Sequence, residues 1–308
     1  MKNTLLYLLA GLLFLGGFGV VCFPHAQRLL SGYEEKELIL DFQEEADAGG
    51  QEPYQELRRQ MEEYNTRICE NGQQDLKDVW SYEQNPFDFQ AAGLPDDMIG
   101  YISIEAMGEQ LPLYIGANEE NMKQGAVVMG QTSMPIGGTG TNCVIAAHRG
   151  YRGIPMFQYI EVLKPGDKVE IANLWETLEY QVVKSIVISP DDIEAVKIVP
   201  GADMLTLITC HPYTKNYQRY VVYCTRVPGD DTAADTGAET GADAEFAAGL
   251  PEGVAYDSSA EDIRMERLVS YGAMAVCLLC FLLAVIAAFR EARRPKKHSR
   301  TKDRRRRR

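Results

Sequence analysis

Histidine is scarce, at four residues in 308. His25 follows a long apolar run and His298 sits in a basic tail, so only His148 and His211 could serve a site in the middle of the chain. Cysteine is sparse too. Of seven, Cys22, Cys277 and Cys280 fall in apolar terminal segments, which leaves Cys69, Cys143, Cys210 and Cys224. These four contain no C-x-x-C and no regular ladder, which excludes a zinc ribbon and a disulfide scaffold. Positive charge is short, with 31 Lys and Arg against 44 Asp and Glu and a formal net charge of −13. A nucleic-acid partner would need a net basic face, so none is expected. No Asp/Glu cluster in the barrel has calcium-ligand spacing, so no metal ligands are assigned.

What is present begins with apolar content, 45%, enough for a core and against wholesale disorder. The charge is unevenly spread. Arg290–Arg308 carries 12 basic and 2 acidic residues, whereas His25–Ser270 carries 18 basic and 42 acidic. Two uncharged runs of 19 residues, Leu5–Phe23 and Tyr271–Phe289, flank the acidic zone. A spanning helix needs about 20 such residues. Basic residues beside a span stay in the cytoplasm, so the tail is expected inside and residues between the spans outside. A cleaved signal peptide is the rival for the first run, but no clear A-x-A site follows it, and an uncleaved anchor is expected. The basic tail suits anionic inner-leaflet lipid.

Between the spans the pattern changes several times. Tyr54, Leu57, Met61, Tyr64 and Ile68 recur at spacings of three and four, one face of a helix, with an earlier piece around Leu38, Ile39 and Phe42. Residues 75–93 hold aromatics at 80, 82, 87 and 89 with no consistent period, which predicts a loop that sticks to something. From Met98 to Val227 the pattern is β. Expected strands are Ile99–Ile104, Gln110–Ile115, Ala126–Met129, Cys143–Ala147, Lys168–Asn173, Leu178–Ser189, Met204–Thr209 and Arg219–Arg226. Short strands with turns such as Pro165-Gly166-Asp167 predict an all-β barrel or sandwich. Gly229–Asp262 has ten acidic and no basic residues, and a self-repelling, disordered stalk is expected. The resulting organisation is 1–24 anchor or signal, 25–74 helical region, 75–97 loop, 98–228 barrel, 229–266 stalk, 267–289 transmembrane helix and 290–308 basic tail.

Reactive residues gather at strand ends. His148 ends the apolar strand CVIAAH, Cys210 ends LTLITC, and Arg219 opens the next strand. A cysteine with a histidine makes a nucleophile and acid/base pair, and a nearby guanidinium steadies developing negative charge. Cys143 and Cys224 read as core residues. His211 is a rival base, but it adjoins Cys210, and neighbours on an extended chain point to opposite sides, so His148 is preferred. A lone cysteine at a strand end is, however, more often a small core residue.

Thr206-Leu207-Ile208-Thr209-Cys210, followed by Pro212-Tyr213 and by Arg219 nine residues on, resembles the sortase signature TLxTC-x-PY…R. Ala147-His148-Arg149-Gly150 resembles the sortase histidine motif, and 130–142 resembles the segment before it. The resemblance covers about 75–227 and implies an eight-stranded sortase-type β-barrel with N-terminal helices, flanked by two transmembrane helices. Within the family the layout resembles class C, the pilus-assembling group. That implies Cys210 as nucleophile, His148 as acid/base, Arg219 on the substrate or oxyanion, and Thr209 shaping the substrate or oxyanion pocket. It implies no cofactor. The implied partners are pilin or surface proteins with LPxTG-like sorting signals, an acceptor amine from a pilin Lys or the peptidoglycan precursor, and the membrane. The class C lid carries Asp-Pro-aromatic, where this chain has Asn85-Pro86-Phe87. Asn85 is then expected to hydrogen-bond Arg219, with Phe87 over Cys210 and Asp88 a substitute charge. A wall-anchoring sortase, a water-using cysteine hydrolase and a non-catalytic surface receptor are the other readings.

Overall fold

The structure is a computed structural model that describes residues 2–49, 54–74, 76, 83–151, 154–227 and 246–292. It forms two compact units, one of Met1–Phe23 with Met265–Arg308, the other Pro24–Arg264.

The larger unit is built on eight strands: β1 (Met98–Ile104), β2 (Glu109–Ile115), β3 (Ala126–Val128), β4 (Thr141–Ala146), β5 (Lys168–Asn173), β6 (Thr177–Ile188), β7 (Asp203–His211) and β8 (Gln218–Arg226). They close into a barrel in the order β1-β2-β3-β4-β7-β8-β6-β5. The sandwich alternative falls away, because β5 pairs back onto β1 and leaves no free edge. Each strand coincides with an expected one within about two residues. Two pairings are parallel, β2 with β3 and β4 with β7. A parallel pair needs a crossover. Between β2 and β3 it is the six-residue α3 (Glu119–Gln124), too short for periodicity to reveal and started by Asn118, whose side chain accepts from the Asn121 amide. The core inside includes Ile102, Leu113, Ile145, Val169, Leu207 and Val222, each fully buried.

Helix α1 (Lys2–Gly49) is continuous, and α2 is Gln55–Glu70. The expected face of α2 is the buried one: Leu57, Met61, Tyr64 and Ile68 join the core. Asn65 docks the helix, because its amide accepts from the Met134 backbone N–H at 2.7 Å and donates to that residue's carbonyl at 3.3 Å. From α1, Ile39 and Phe42 are buried, and Gln43 donates to the Tyr101 hydroxyl at 2.8 Å.

The expected stalk, 229–266, is structured over its second half. Leu250 is buried and Phe246 packs on the core. Lys184 donates through Nζ to the carbonyls of Ala247 and Leu250, and the Val254 amide donates to Val187 of β6 at 2.7 Å. The acidic average hides Phe246, Leu250 and Tyr256, which supply the apolar and ring contacts. Residues 229–245 of that stalk lie outside the described residues.

Helix α4 (Ala260–Ala292), which belongs to the smaller unit from Met265 on, contains a 28-residue stretch, Ala260–Ala287, long and apolar enough to cross a membrane. The N-terminal contribution, Phe14–Phe23, is apolar but shorter than a span, so one helix among the described residues meets that test where the sequence predicts two. Phe14 stacks on Phe18 and on Phe281, at 6.0 and 5.3 Å between ring centroids.

Candidate active site

Strands β4, β7 and β8 are consecutive around the barrel. Cys210 of β7 lies directly opposite Arg219 of β8. Residues opposed in an antiparallel pair share a face, with Cα atoms about 4.5–5.5 Å apart. On the other side of β7 the parallel register runs to Ala146 opposite Ile208. It carries on through the Ala147 amide, which donates to the Ile208 carbonyl at 3.3 Å, and His148 is the next residue along that segment. The three sequence-predicted residues thus come from neighbouring chain segments at one end of the barrel, and all three are half-buried.

His148 is fixed twice. Its carbonyl accepts from the Phe157 amide at 3.0 Å, and its ring stacks on Tyr151 at 5.0 Å and 17°. Burial pulls its pKa below the ordinary imidazole value, so the resting ring is neutral and able to take a proton. The Arg219 guanidinium donates to the carbonyls of Asn216 and Gln218 at 3.1 and 2.9 Å, which holds its base against the β7–β8 turn.

The opposite face of β7 has a different job. Thr209 and His211 are buried, and the alternation that half-exposes Cys210 turns them inward. His211 accepts at Nδ1 from Arg149 at 2.7 Å, so that nitrogen is occupied. Burial and the Arg149 charge lower its pKa, with Glu161 and the Asp257 backbone pulling the other way. Thr209 donates its hydroxyl proton to the Ala147 carbonyl at 2.7 Å. That bond spends the hydroxyl proton on tying β7 to the segment that carries His148.

Asn85 and Phe87 are also placed differently from the lid expectation. Asn85 donates to Asp97 at 3.0 Å and accepts from the Phe87 amide at 2.9 Å, and it does not hydrogen-bond Arg219. The Phe87 ring packs edge-on against Tyr64 of α2 at 5.8 Å. The Ala91 amide donates to the Asp88 carboxylate at 2.9 Å. The Asn85 partner is thus a carboxylate twelve residues away in sequence. Residues 77–82 of the expected loop lie outside the described residues.

Sequence reasoning missed Arg149 and Glu161. Arg149 is 5% exposed, too deep for an arginine without a partner. Its NH2 meets the Glu161 carboxylate, and its NH1 donates to the Cys210 carbonyl at 3.3 Å. Its position beside His148 was the one available signal; Glu161 gave none. Among the described residues no group of three His, Cys, Asp or Glu could hold a metal ion.

A family model described as Sortase domain matches residues 102–227. A pilus-related sortase C of Group B Streptococcus is 31% identical, covering 61% of this chain and 96% of that one, with a TM-score of 0.53. Sortase C-1 of Streptococcus pneumoniae is also 31% identical, over 63% of this chain and 99% of that one, with a TM-score of 0.51. The chain belongs to the sortase family, and its solved neighbours are class C sortases. Among curated proteins this sortase is similar to sortase A of Bacillus anthracis, 34% identical over 125 residues. Those residues are 41% of this chain and 58% of that protein, so the sortase spans less than two thirds of the relative it matches.

Proposed function

We propose that this sortase is a membrane-anchored cysteine transpeptidase that cleaves LPxTG-like sorting signals and joins pilin subunits. The observation that carries the reading is the register opposing Cys210 to Arg219, with His148 on the next segment. Cys210 gives its thiol proton to neutral His148 and attacks the carbonyl carbon of the signal's Thr. The tetrahedral oxyanion forms beside Arg219, whose guanidinium carries a fixed positive charge. The C–N bond breaks, the imidazolium protonates the leaving amine, and a thioester remains. An incoming Lys amine of a second pilin then attacks the thioester. His148 takes that amine's proton and returns one to the Cys210 sulfur, so one group serves both halves.

The C-terminal helix with its basic tail supports anchoring with the tail in the cytoplasm and the barrel outside. Tethering raises the effective concentration of enzyme near substrates that begin at the same membrane. The similarity to sortase A gives the second reading, transfer to the peptidoglycan precursor. The full chain in detergent, incubated with an LPxTG peptide, is expected to gain the mass of the acyl half. Hydroxylamine should remove that mass, and Cys210→Ala should never acquire it. An adduct on the Cys210→Ala protein would refute the nucleophile. Competition between a Lys peptide and a peptidoglycan-type amine for the thioester then decides the acceptor.

A further inference from the structure

Behind the nucleophile strand a short segment of the C-terminal connector is gripped by buried charge. The Glu161 side chain, 9% exposed, meets Arg149 NH2 and accepts from the Ser258 hydroxyl at 2.5 Å and the Ser259 amide at 3.1 Å. Burial alone would raise this carboxyl, but the Ser258 and Arg149 hydrogen bonds outweigh it and hold it below its usual range. Ser259 in turn accepts through Oγ from the Tyr213 amide at 2.8 Å. Tyr256 sets its ring edge-on against His211 at 5.1 Å and Tyr220 at 6.0 Å. The contacted residues flank the two halves of the site: His211 follows Cys210, and Tyr220 follows Arg219.

We infer that Tyr256–Ser259 is a built-in strap, and that Glu161 and Arg149 are positioning residues through which it fixes the backbone of Cys210. Arg149 is the link, with one nitrogen on the Cys210 carbonyl and the other on Glu161. A buried pair is costly unless its remaining hydrogen-bonding capacity is met. The strap meets it for Glu161 with a hydroxyl and an amide. Ser259 immediately precedes α4, and its carbonyl accepts from the Ile263 amide at 3.1 Å. The carboxylate therefore sits at the start of that helix, where the macrodipole favours negative charge. The chain that leads to the apolar helix is thus part of the scaffold of the site, and releasing it lets Arg149 leave the Cys210 carbonyl.

The geometry of the strap rests on the structure, but its catalytic consequence rests on Cys210 being the nucleophile. The full chain in detergent separates the two. Its Cys210 alkylation rate by iodoacetamide, read by peptide mapping against Cys69, needs no sorting signal. Acylation by an LPxTG peptide gives kcat and KM. Detaching the strap with Tyr256→Ala and Ser258→Ala together is expected to lower both the alkylation rate and kcat about tenfold with little change in KM, as loss of positioning does. Tyr256→Phe, which keeps the ring, should stay near the parent. If the double variant fails to fold, Ser258→Ala alone removes the hydroxyl's bond to Glu161 and the one it accepts from the Ala260 amide, and should shift both rates the same way by about twofold. Unchanged alkylation in a variant whose 256–259 amides exchange faster overturns the strap. A parent that alkylates normally but never acylates leaves the strap standing and sinks the transpeptidase reading.

Discussion

Replacing Thr209 by valine separates two roles that its place beside Cys210 allows. The side chain keeps its shape and loses one hydroxyl, whose proton now goes to the Ala147 carbonyl at 2.7 Å. Thr209 is 2% exposed, so water does not replace that bond. A buried acceptor deprived of its donor costs about 1–3 kcal/mol. In a unit of this size each kcal/mol moves the melting temperature by about 2–4 °C, so a fall of about 4–8 °C is expected for a mid-range loss. Chemistry should suffer less. With no hydroxyl aimed at the oxyanion, acylation should slow less than about tenfold, through the altered tie between β7 and His148, whereas loss of an oxyanion donor costs about 10²–10³. Thr209→Ser restores the hydroxyl and should recover most of the stability. Differential scanning calorimetry and the thioester mass assay read the two effects. A 10²-fold rate loss at unchanged melting temperature would refute the structural assignment and return Thr209 to the reacting centre.

Further expectations follow from other parts of the structure. Asn142 is fully buried, donates to the carbonyls of Val196 and Lys197 and accepts from Thr206, so Asn142→Leu should cost about 3 kcal/mol or more and lower the denaturation midpoint sharply. Burial pushes the Glu109 carboxyl up to about 7, with Arg28 opposing. The unfolded chain therefore ionises first as pH rises from about 4.5 to 7, and this costs stability; Glu109→Gln should add about 1–2 kcal/mol at pH 8 after allowance for partial exposure, and nothing near pH 4. Because burial holds His148 below 6.5, the acid limb of acylation should lie below that pH, and a limb above 7 would contradict a neutral resting imidazole. Gly116 has φ +95, and a Cβ there would meet the Asn85 amide at 2.7 Å, so Gly116→Ala should destabilise and loosen the 83–97 segment in hydrogen exchange.

The barrel was legible because its strands alternate, carry β-branched residues and end on turn chemistry, and α2 because five apolar residues keep one face. The nearness of His148, Cys210 and Arg219 was legible for a local reason: each lies at or just beyond the polar end of an apolar strand, and β4, β7 and β8 are neighbours. Order in the 246–264 connector was not legible. Its apolar residues are spaced too widely for a period, and its partners, Lys184 and Glu161, lie over 60 residues away. Asn85 shows the opposite failure. Its tripeptide matched a family pattern, yet what an amide binds depends on which charges the fold brings near it, and Asp97 comes first.

Strand alternation explains why one short motif can hold both the reactive and the fastened residues. Along Thr209-Cys210-His211, the outer two point away from the reacting face. The Thr209 hydroxyl ties β7 to the segment before His148, and His211 Nδ1 accepts a hydrogen bond from Arg149. Cys210 between them is held through its backbone carbonyl, again by Arg149, which leaves its thiol out of the fastening. A nucleophile must be fixed closely without its reactive atom being spent, and hydrogen bonds made by its neighbours and its own main chain do this. In the proposed mechanism the same logic favours His148 over His211 as the base. His211 is fully buried on the face away from Cys210's side chain with its Nδ1 on Arg149, while His148, held by its carbonyl and by stacking, keeps its ring nitrogens out of those contacts.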